Sequence, residues 1–190
     1  MNYKLNIKGR YQDKLIWTSS ITGMQRSETR LGKNQVQDSA IELISGLLTN
    51  SSSMTTPPIE NLIGISYVAL GSGDSSWDQD PSNVSKPTDQ TTLQNETFRF
   101  QVSPDSFIFL DQSGAALSPQ ALSSRFKMSY TLGSADANGD LREFGLFGGA
   151  ATSTLNSGTI FNWITHPLIQ KDSSLTIQRT IDISLSIIRS

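Results

Sequence analysis

The 190-residue chain has no cysteine and only one histidine, His166. Without thiols it has neither disulfides nor a thiolate nucleophile, so its stability must come from the burial of side chains. The same count excludes a zinc site built from histidine and thiolate ligands. His166 stands before a proline, and no serine-elbow or paired-cysteine motif accompanies it. We therefore expect no enzyme, no bound metal and no cofactor.

Charged residues and long apolar runs are also scarce. Charged residues make up 17% of the chain and the net charge is -2, which is typical neither of a nucleic-acid-binding domain nor of an acidic disordered chain. No apolar run approaches the ~20 residues of a membrane-spanning helix, and the first residues lack the apolar stretch of a secretory leader. We expect no nucleic-acid partner and no membrane insertion.

The few charges are unevenly placed along the chain. Residues 1–33 contain seven Lys or Arg and two carboxylates, so the remainder is acidic. Ends of opposite sign favour docking between neighbouring subunits. The alternative is a solvated basic hairpin without a partner, because exposed charges are common on protein surfaces.

Strand patterns dominate the sequence. Residues 174–188 alternate apolar and polar side chains, which indicates a half-buried strand. At about 3.3 Å per residue it would be roughly 45 Å long, so it bends, bulges or extends over a neighbouring subunit. Leu62–Leu70 is apolar on both faces, as in a central strand. Further strands are expected at Phe98–Val102, Ser106–Leu110, Arg125–Leu132, Asp140–Phe147 and Thr159–Thr165. We predict one mainly β domain over residues 1–190, antiparallel and sandwich-like.

The N-terminal part is more irregular. Residues 1–37 suggest a strand pair between Tyr3 and Trp17, interrupted at Gly9, followed by a polar loop or extended arm. One short amphipathic helix follows, because its apolar residues recur at helical spacing and Ser39 with Glu42 matches a capping box. Its apolar residues are Ala40, Leu43, Ile44, Leu47 and Leu48.

Two connections carry sequence signals of their own. Asn138-Gly139 predicts a tight hairpin between the strands on either side. Asp136, Asn138 and Asp140 have the spacing that begins a calcium loop, but the glycine and the glutamate that such a loop requires later are absent. Residues 74–92 are rich in Ser, Asp, Gln, Thr and Pro, and predict a long polar loop of the kind kept for function or contact.

Five residues are candidates for interaction. Trp77 stands in the polar loop, where an indole is able to stack on a sugar or a partner. Glu143 lies between Leu141 and Phe147 on one face of the Asp140–Phe147 strand, whereas Phe144 points to the other face. Arg179 is the lone charge in the apolar row of the C-terminal strand. Because a buried charge needs a partner, we predict that Glu143 and Arg179 pair within the domain or across a subunit boundary.

Four segments, in order, resemble a class of tailed-bacteriophage virion proteins found in tail, baseplate and fibre-associated positions. Lys33-Asn34-Gln35-Val36 before the helix is similar to the "KN, then amphipathic helix" opening of that class, and residues 65–73 resemble its "YxAxGxG" strand. Residues 92–96 with Arg99 resemble "TxLxxExxR", and Leu141 to Gly149 resembles "LxExGLFGG". Each motif alone is unspecific, but together they cover most of the chain.

The resemblance implies a structural component of a phage tail or baseplate that acts by subunit contact and includes, as one reading, an adaptor that seats a tail fibre. Its partners would be other tail, baseplate or fibre proteins and further copies of itself, located in the virion tail and assembled in the host cytoplasm. One alternative is a host-surface or carbohydrate-binding module that uses Trp77 and the polar loop. A remoter one is a hydrolase that uses Glu96 and Glu143.

Overall fold

The computed structural model describes residues 3–41, 43–44, 63–80, 84, 88–117 and 123–189. Every strand pair in this part of the chain is antiparallel, so the predicted, mainly antiparallel β fold is confirmed. The strands are β1 (Tyr3–Thr18), β2 (Gln25–Val36), β3 (Ile63–Gly71), β4 (Glu96–Gln101), β5 (Phe107–Leu110), β6 (Arg125–Leu132), β7 (Gly139–Gly149), β8 (Thr159–Lys171) and β9 (Leu175–Arg189).

The chain divides into two compact units, each assembled from separate stretches of sequence. The first unit comprises residues 1–34, 103–136 and 172–190, and the second comprises residues 35–102 and 137–171. In the first unit the strand order is β2-β1-β9-β6-β5. In the second it is β4-β3-β7-β8, and β8 pairs with the last two residues of β2, Gln35 and Val36. The described strands of each unit form one hydrogen-bonded series, so the predicted sandwich is not confirmed.

The long C-terminal strand predicted from the alternation is present as β9. It pairs with β1 over the whole of both strands, from Tyr3 opposite Arg189 to Trp17 opposite Leu175. The apolar positions predicted to face inward, from Leu175 to Ile183, are buried, and the polar positions between them are more exposed. An equally long neighbour within the chain therefore accompanies the strand.

Gly9 does not interrupt β1, and the predicted strand pair between Tyr3 and Trp17 is one continuous strand. Gly9 lies directly opposite Asn34 of β2, and a Cβ at this position would overlap the Asn34 side chain. The glycine therefore permits close approach of a neighbouring strand.

The predicted loop or arm between Thr18 and Gln37 is wrong, because most of it forms β2. Ser19 and Met24 are joined by a backbone hydrogen bond across the turn, and Gly23 adopts a positive φ of 69°. β2 then pairs with β1 from Gln25 to Asn34. Its residues are mostly exposed, which removes the apolar period that sequence reasoning requires.

The amphipathic helix is not seen as a complete element. Residues 39–41 and 43–44 have helical backbone, Ala40 and Leu43 are buried, and the rest of the prediction lies outside the described residues. The Ser39 hydroxyl, assigned to a capping box, donates to the Ile160 carbonyl at 2.6 Å. Within the part of the chain that is described, no helix is long and apolar enough to cross a bilayer.

The hairpin predicted at Asn138-Gly139 is wrong, although both of its strands exist. β6 pairs with β5 and β9, whereas β7 pairs with β3 and β8. The turn that the motif requires has positive φ at both central residues, but here positive φ occurs at Ala137 and Gly139 and not at Asn138. Asp136 accepts from the Gly133 amide at 2.8 Å, so these polar residues shape a connection between strands that do not pair.

The strand predicted at Thr159–Thr165 continues to Lys171, so that Pro167 lies inside β8. The register between β7 and β8 shifts from Glu143 opposite Thr165 to Leu141 opposite Ile169. Such an irregularity leaves a backbone position without a ladder hydrogen bond, and proline tolerates that position.

A charged pair is buried in the first unit. Arg179 of β9 donates two hydrogen bonds of 2.6 Å each to the carboxylate of Asp13, its direct neighbour on β1. The side chains are 0% and 1% exposed. Tyr130, the neighbour of Arg179 on β6, accepts a third hydrogen bond at 3.3 Å. The three residues form one hydrogen-bonded row across β1, β9 and β6 on the inward face of the sheet.

We predict that Asp13→Ala lowers the free energy of unfolding by about 3–5 kcal/mol, because it leaves the Arg179 charge buried without its carboxylate. The double variant Asp13→Leu, Arg179→Met should recover most of that loss. The control is Asp182→Ala, which breaks the pair with Arg125 whose side chains are 34% and 30% exposed. Urea unfolding followed by circular dichroism measures all three. A loss for Asp13→Ala no larger than that for Asp182→Ala contradicts the prediction.

Burial raises the pKa of Tyr130 from 10.0 to about 12. Since the folded chain holds this proton more tightly than the unfolded chain does, the contribution to stability is complete below pH 10 and is lost as the pH rises towards 12. We predict that the free energy of unfolding of the parent chain falls over this range more steeply than that of Tyr130→Phe, by at most about 1.4 kcal/mol per pH unit. Tyr67→Phe in the second unit is the control and should keep the steeper fall. Equal slopes for parent and Tyr130→Phe refute it.

Candidate interaction surfaces

Four of the five predicted interaction residues are buried. Glu143, Phe144 and Phe147 are 0% exposed and Arg179 is 1% exposed. The predicted pair of Glu143 with Arg179 is wrong, because Arg179 binds Asp13 and Tyr130 whereas Glu143 is bound by groups of its own unit. These four residues stabilise the fold. Their side chains are buried by other described residues and are not exposed for contact with another protein.

Glu143 joins two neighbouring segments to its strand. Its carboxylate accepts from the backbone amides of Gln94 at 3.0 Å and Asn95 at 2.7 Å, and from the indole nitrogen of Trp163 at 2.7 Å. A Cβ on Gly71 would lie within 2.5 Å of a Glu143 carboxylate oxygen and of the Asn95 carbonyl. The glycine is therefore required where β3 passes this carboxylate.

Glu96 and Arg99 form a second buried tie. Arg99 donates two hydrogen bonds to the Glu96 carboxylate, at 2.5 and 2.8 Å, and the side chains are 1% and 0% exposed. Arg99 also donates to the carbonyls of Thr152 and Ser157, and the Asn156 amide donates to Glu96 at 2.9 Å. The ion pair thus orders the connection between β7 and β8.

Three of the four motifs that carry the phage resemblance meet in this region of the second unit. Arg99 lies over the rings of Phe147 at 4.9 Å and Tyr67 at 5.7 Å. Ala69, Leu93, Phe147 and Trp163 share one apolar core, with Tyr67 packed against it. Residues that are about 80 positions apart in the sequence therefore belong to one set of contacts.

Trp77, predicted on an exposed loop, is packed against that same core. Its ring meets the Trp163 ring edge to face at 6.0 Å between centroids, and it covers Gly73. It belongs to a short 3₁₀ turn, Ser75–Asp78, whose first amides are capped by Asp74. Asp78 binds Arg142 through two hydrogen bonds of 2.8 and 2.7 Å. Residues 81–83 and 85–87 of the predicted loop lie outside the described part.

The exposed charges among the described residues of the second unit are of one sign. Its described cations, Arg99, Arg142 and Lys171, have buried side chains. Hydrogen bonds to Arg142 and to the Ser76 amide, respectively, lower the pKa of Asp78 and of Asp74, so both are ionised at neutral pH. The described, exposed ionisable residues of this unit are Asp38, Asp74, Asp78, Asp80, Asp89 and Asp140.

The first unit presents the opposite charge on the outward side of its sheet. The pairing register places Lys33, Arg10, Asp182 and Lys127 in one row across β2, β1, β9 and β6, with Ile108 of β5 at its end. We call the outward side the cationic face. Its described cations are Lys8, Arg10, Lys14, Lys33, Arg125 and Lys127, and Asp182, which binds Arg125, is its one described carboxylate.

A depression of 260 Å³ lies in the cationic face. Lys8, Gly9, Arg10, Arg125, Asp182 and Ser184 line it. Sequence reasoning missed this surface because its cations come from three distant segments. The basic composition of residues 1–33 was the one signal that pointed to it.

The turn between β1 and β2 forms a second exposed feature. Ile21 and Met24 are 92% and 73% exposed, beside a groove of 580 Å³ that Trp17 and Arg26 also line. The Arg26 guanidinium stacks over the Trp17 ring at 4.6 Å, which shields part of the indole.

Comparison of the chain with protein-family models, with curated proteins and with solved structures finds no match. Inferences about its surfaces therefore come from the residues of this chain alone. Among the described residues, no group of three or more histidine or carboxylate side chains converges to hold a metal ion.

We predict that Glu143→Gln lowers the free energy of unfolding by about 1–3 kcal/mol, because an amide accepts through one oxygen and opposes its own NH2 group to a donor. Hydrogen exchange at the Gln94 and Asn95 amides should accelerate, since both are bound to this carboxylate. Glu28→Gln on exposed β2 is the control. Unchanged protection at both amides refutes the role assigned to Glu143.

Proposed function

We propose that this chain is a structural component of a tailed-bacteriophage tail or baseplate, which acts by subunit contact and seats a tail fibre as an adaptor. The observation that carries the proposal is that three of the four resembling motifs meet in one buried set of contacts in the second unit. Motifs that pack together in a core determine architecture, and the role is inferred by analogy from their resemblance to motifs of virion proteins.

The chemistry of the same contacts favours an architectural role over a catalytic one. Glu96 and Glu143, the carboxylates on which a hydrolase would depend, are 6% and 0% exposed and bind protein donors. A general acid or a nucleophile must reach its substrate. In this arrangement the acids hold backbone segments in place.

The carbohydrate-binding alternative is less favoured, because Trp77 is partly buried. A sugar-stacking indole offers its face to solvent, whereas Trp77 packs on Trp163 and the neighbouring core. The end of the polar segment is also tied down, because the Thr88 carbonyl accepts from the Asp38 amide at 2.8 Å and Gln90 donates to Gln37.

The surface of the first unit suits contact with other proteins. Exposed Ile21 and Met24 at a strand turn and an open cationic face are features that a neighbouring subunit covers. In the proposed role the partners are further copies of this chain and other tail, baseplate or fibre proteins. The place of action is the virion tail, assembled in the host cytoplasm.

The test is the location of the chain in intact particles. Antibodies raised against the purified chain should label the tails of gradient-purified phage particles in electron micrographs, and the chain should band with the particles at constant stoichiometry. Antibody preabsorbed with the purified chain is the control and should label nothing. Absence of the chain from particles that are otherwise complete refutes the proposal.

A further inference from the structure

Charge separates the two units of this chain. The first unit contains eleven Lys or Arg and seven Asp or Glu, whereas the second contains four and ten. Burial sharpens the difference in the second unit, because its described cations are buried and its exposed described charges are all aspartates. One chain therefore carries a basic surface and an acidic surface.

Like charges lie next to each other on the cationic face, beside its one described carboxylate. Arg10 lies directly opposite Lys33 on neighbouring strands, and like charges in that position destabilise a sheet. Neither Arg10 nor Lys8 forms an ion pair or side-chain hydrogen bond with any described residue. Asp182, the described carboxylate of the face, is bound by Arg125 at 2.6 and 3.1 Å. An incoming carboxylate would reduce this repulsion.

We propose that the cationic face binds the acidic second unit of another copy of this chain, in a head-to-tail contact. The proposal rests on the proposed function, since it names the partner through which the chain assembles. A carboxylate of the neighbouring copy enters the depression lined by Lys8, Arg10 and Arg125 and lies against the first two. Because the two surfaces differ, the contact is heterologous and builds a ring or a filament.

The composition of the face favours a protein partner over a nucleic acid. Leu31 and Ile108, 74% and 40% exposed, lie on its two edge strands, where they add apolar contact around the charges. The described outward positions include no aromatic side chain on which a base would stack. The six exposed aspartates described in the second unit would repel a polyanion.

The first experiment measures the mass of the full-length chain in solution by light scattering, at about 20 mM and about 500 mM salt. Screening shortens the reach of exposed charges from about 20 Å to a few Å over this range. We expect multiples of 20.8 kDa at low salt and the single chain at high salt. A chain that stays monomeric at low salt overturns the inference.

Matched charge reversals locate the surface. Arg10→Glu, on the cationic face, should weaken association at least tenfold. Arg30→Glu changes the charge by the same amount on the opposite face of β2, away from the groove beside Ile21 and Met24, and should leave association unchanged. Circular dichroism confirms that both variants are folded. Equal weakening by the two reversals would show a net-charge effect and overturn the assignment of this face.

Zero-length coupling of carboxylates to amines identifies the contact directly. In an equal mixture of ordinary and ¹⁵N-labelled chains, Lys8, Lys14 or Lys33 should couple to aspartates of the second unit in mixed-isotope pairs. Products of a single isotope only overturn the inference. So does a labelled DNA oligonucleotide bound by the parent and lost in Arg10→Glu, without self-association. Neither outcome affects the proposed function, which the presence of the chain in particles tests.

Discussion

Buried carboxylates that accept several hydrogen bonds each stabilise the fold of both units of this protein. Asp13 joins β1 to β9 through Arg179, Glu96 orders the connection after β7 through Arg99, and Glu143 holds the backbone at Gln94 and Asn95. A chain without disulfides must fix its long connections by other means. Each of these acids is desolvated, so the structure tolerates it only because its hydrogen bonds are complete.

Burial also explains which parts of the fold could be predicted from the sequence. β9 and β3 are recognisable because periodicity reports burial, and their buried positions are apolar with few exceptions. β2 was missed because an exposed strand next to β1 needs no apolar period. The tight hairpin at Asn138-Gly139 was wrongly predicted because a turn motif carries no information about which strands pair, and β6 and β7 each pair elsewhere.

The candidate sites show a similar limit. Glu143 and Arg179 were correctly recognised as charges in apolar rows, and both are buried. Their partners were wrongly predicted. Asp13 is 166 positions from Arg179 in the sequence and becomes its neighbour only through the pairing register of β1 and β9. A lone charge in an apolar strand therefore predicts a buried tie, but its partner depends on the topology. The cationic face was not predicted as a surface either, because three separate strands supply its cations and only the basic composition of residues 1–33 pointed to it.

Charged side chains thus perform two different tasks in this protein, and burial separates them. Inside the units, cations and carboxylates occur as matched pairs or as acids surrounded by amides, which stabilise one arrangement of the chain. On the surfaces, the described exposed charges of the second unit are aspartates and the cations of the first unit are concentrated on one face, which costs some stability because like charges repel. Arg10 and Lys33 remain adjacent like charges in the folded chain, although a carboxylate at one of these positions would remove their repulsion. This arrangement is consistent with selection for a contact made after folding. In an assembly such a contact adds rate and specificity without requiring large exposed apolar surfaces that would aggregate before assembly.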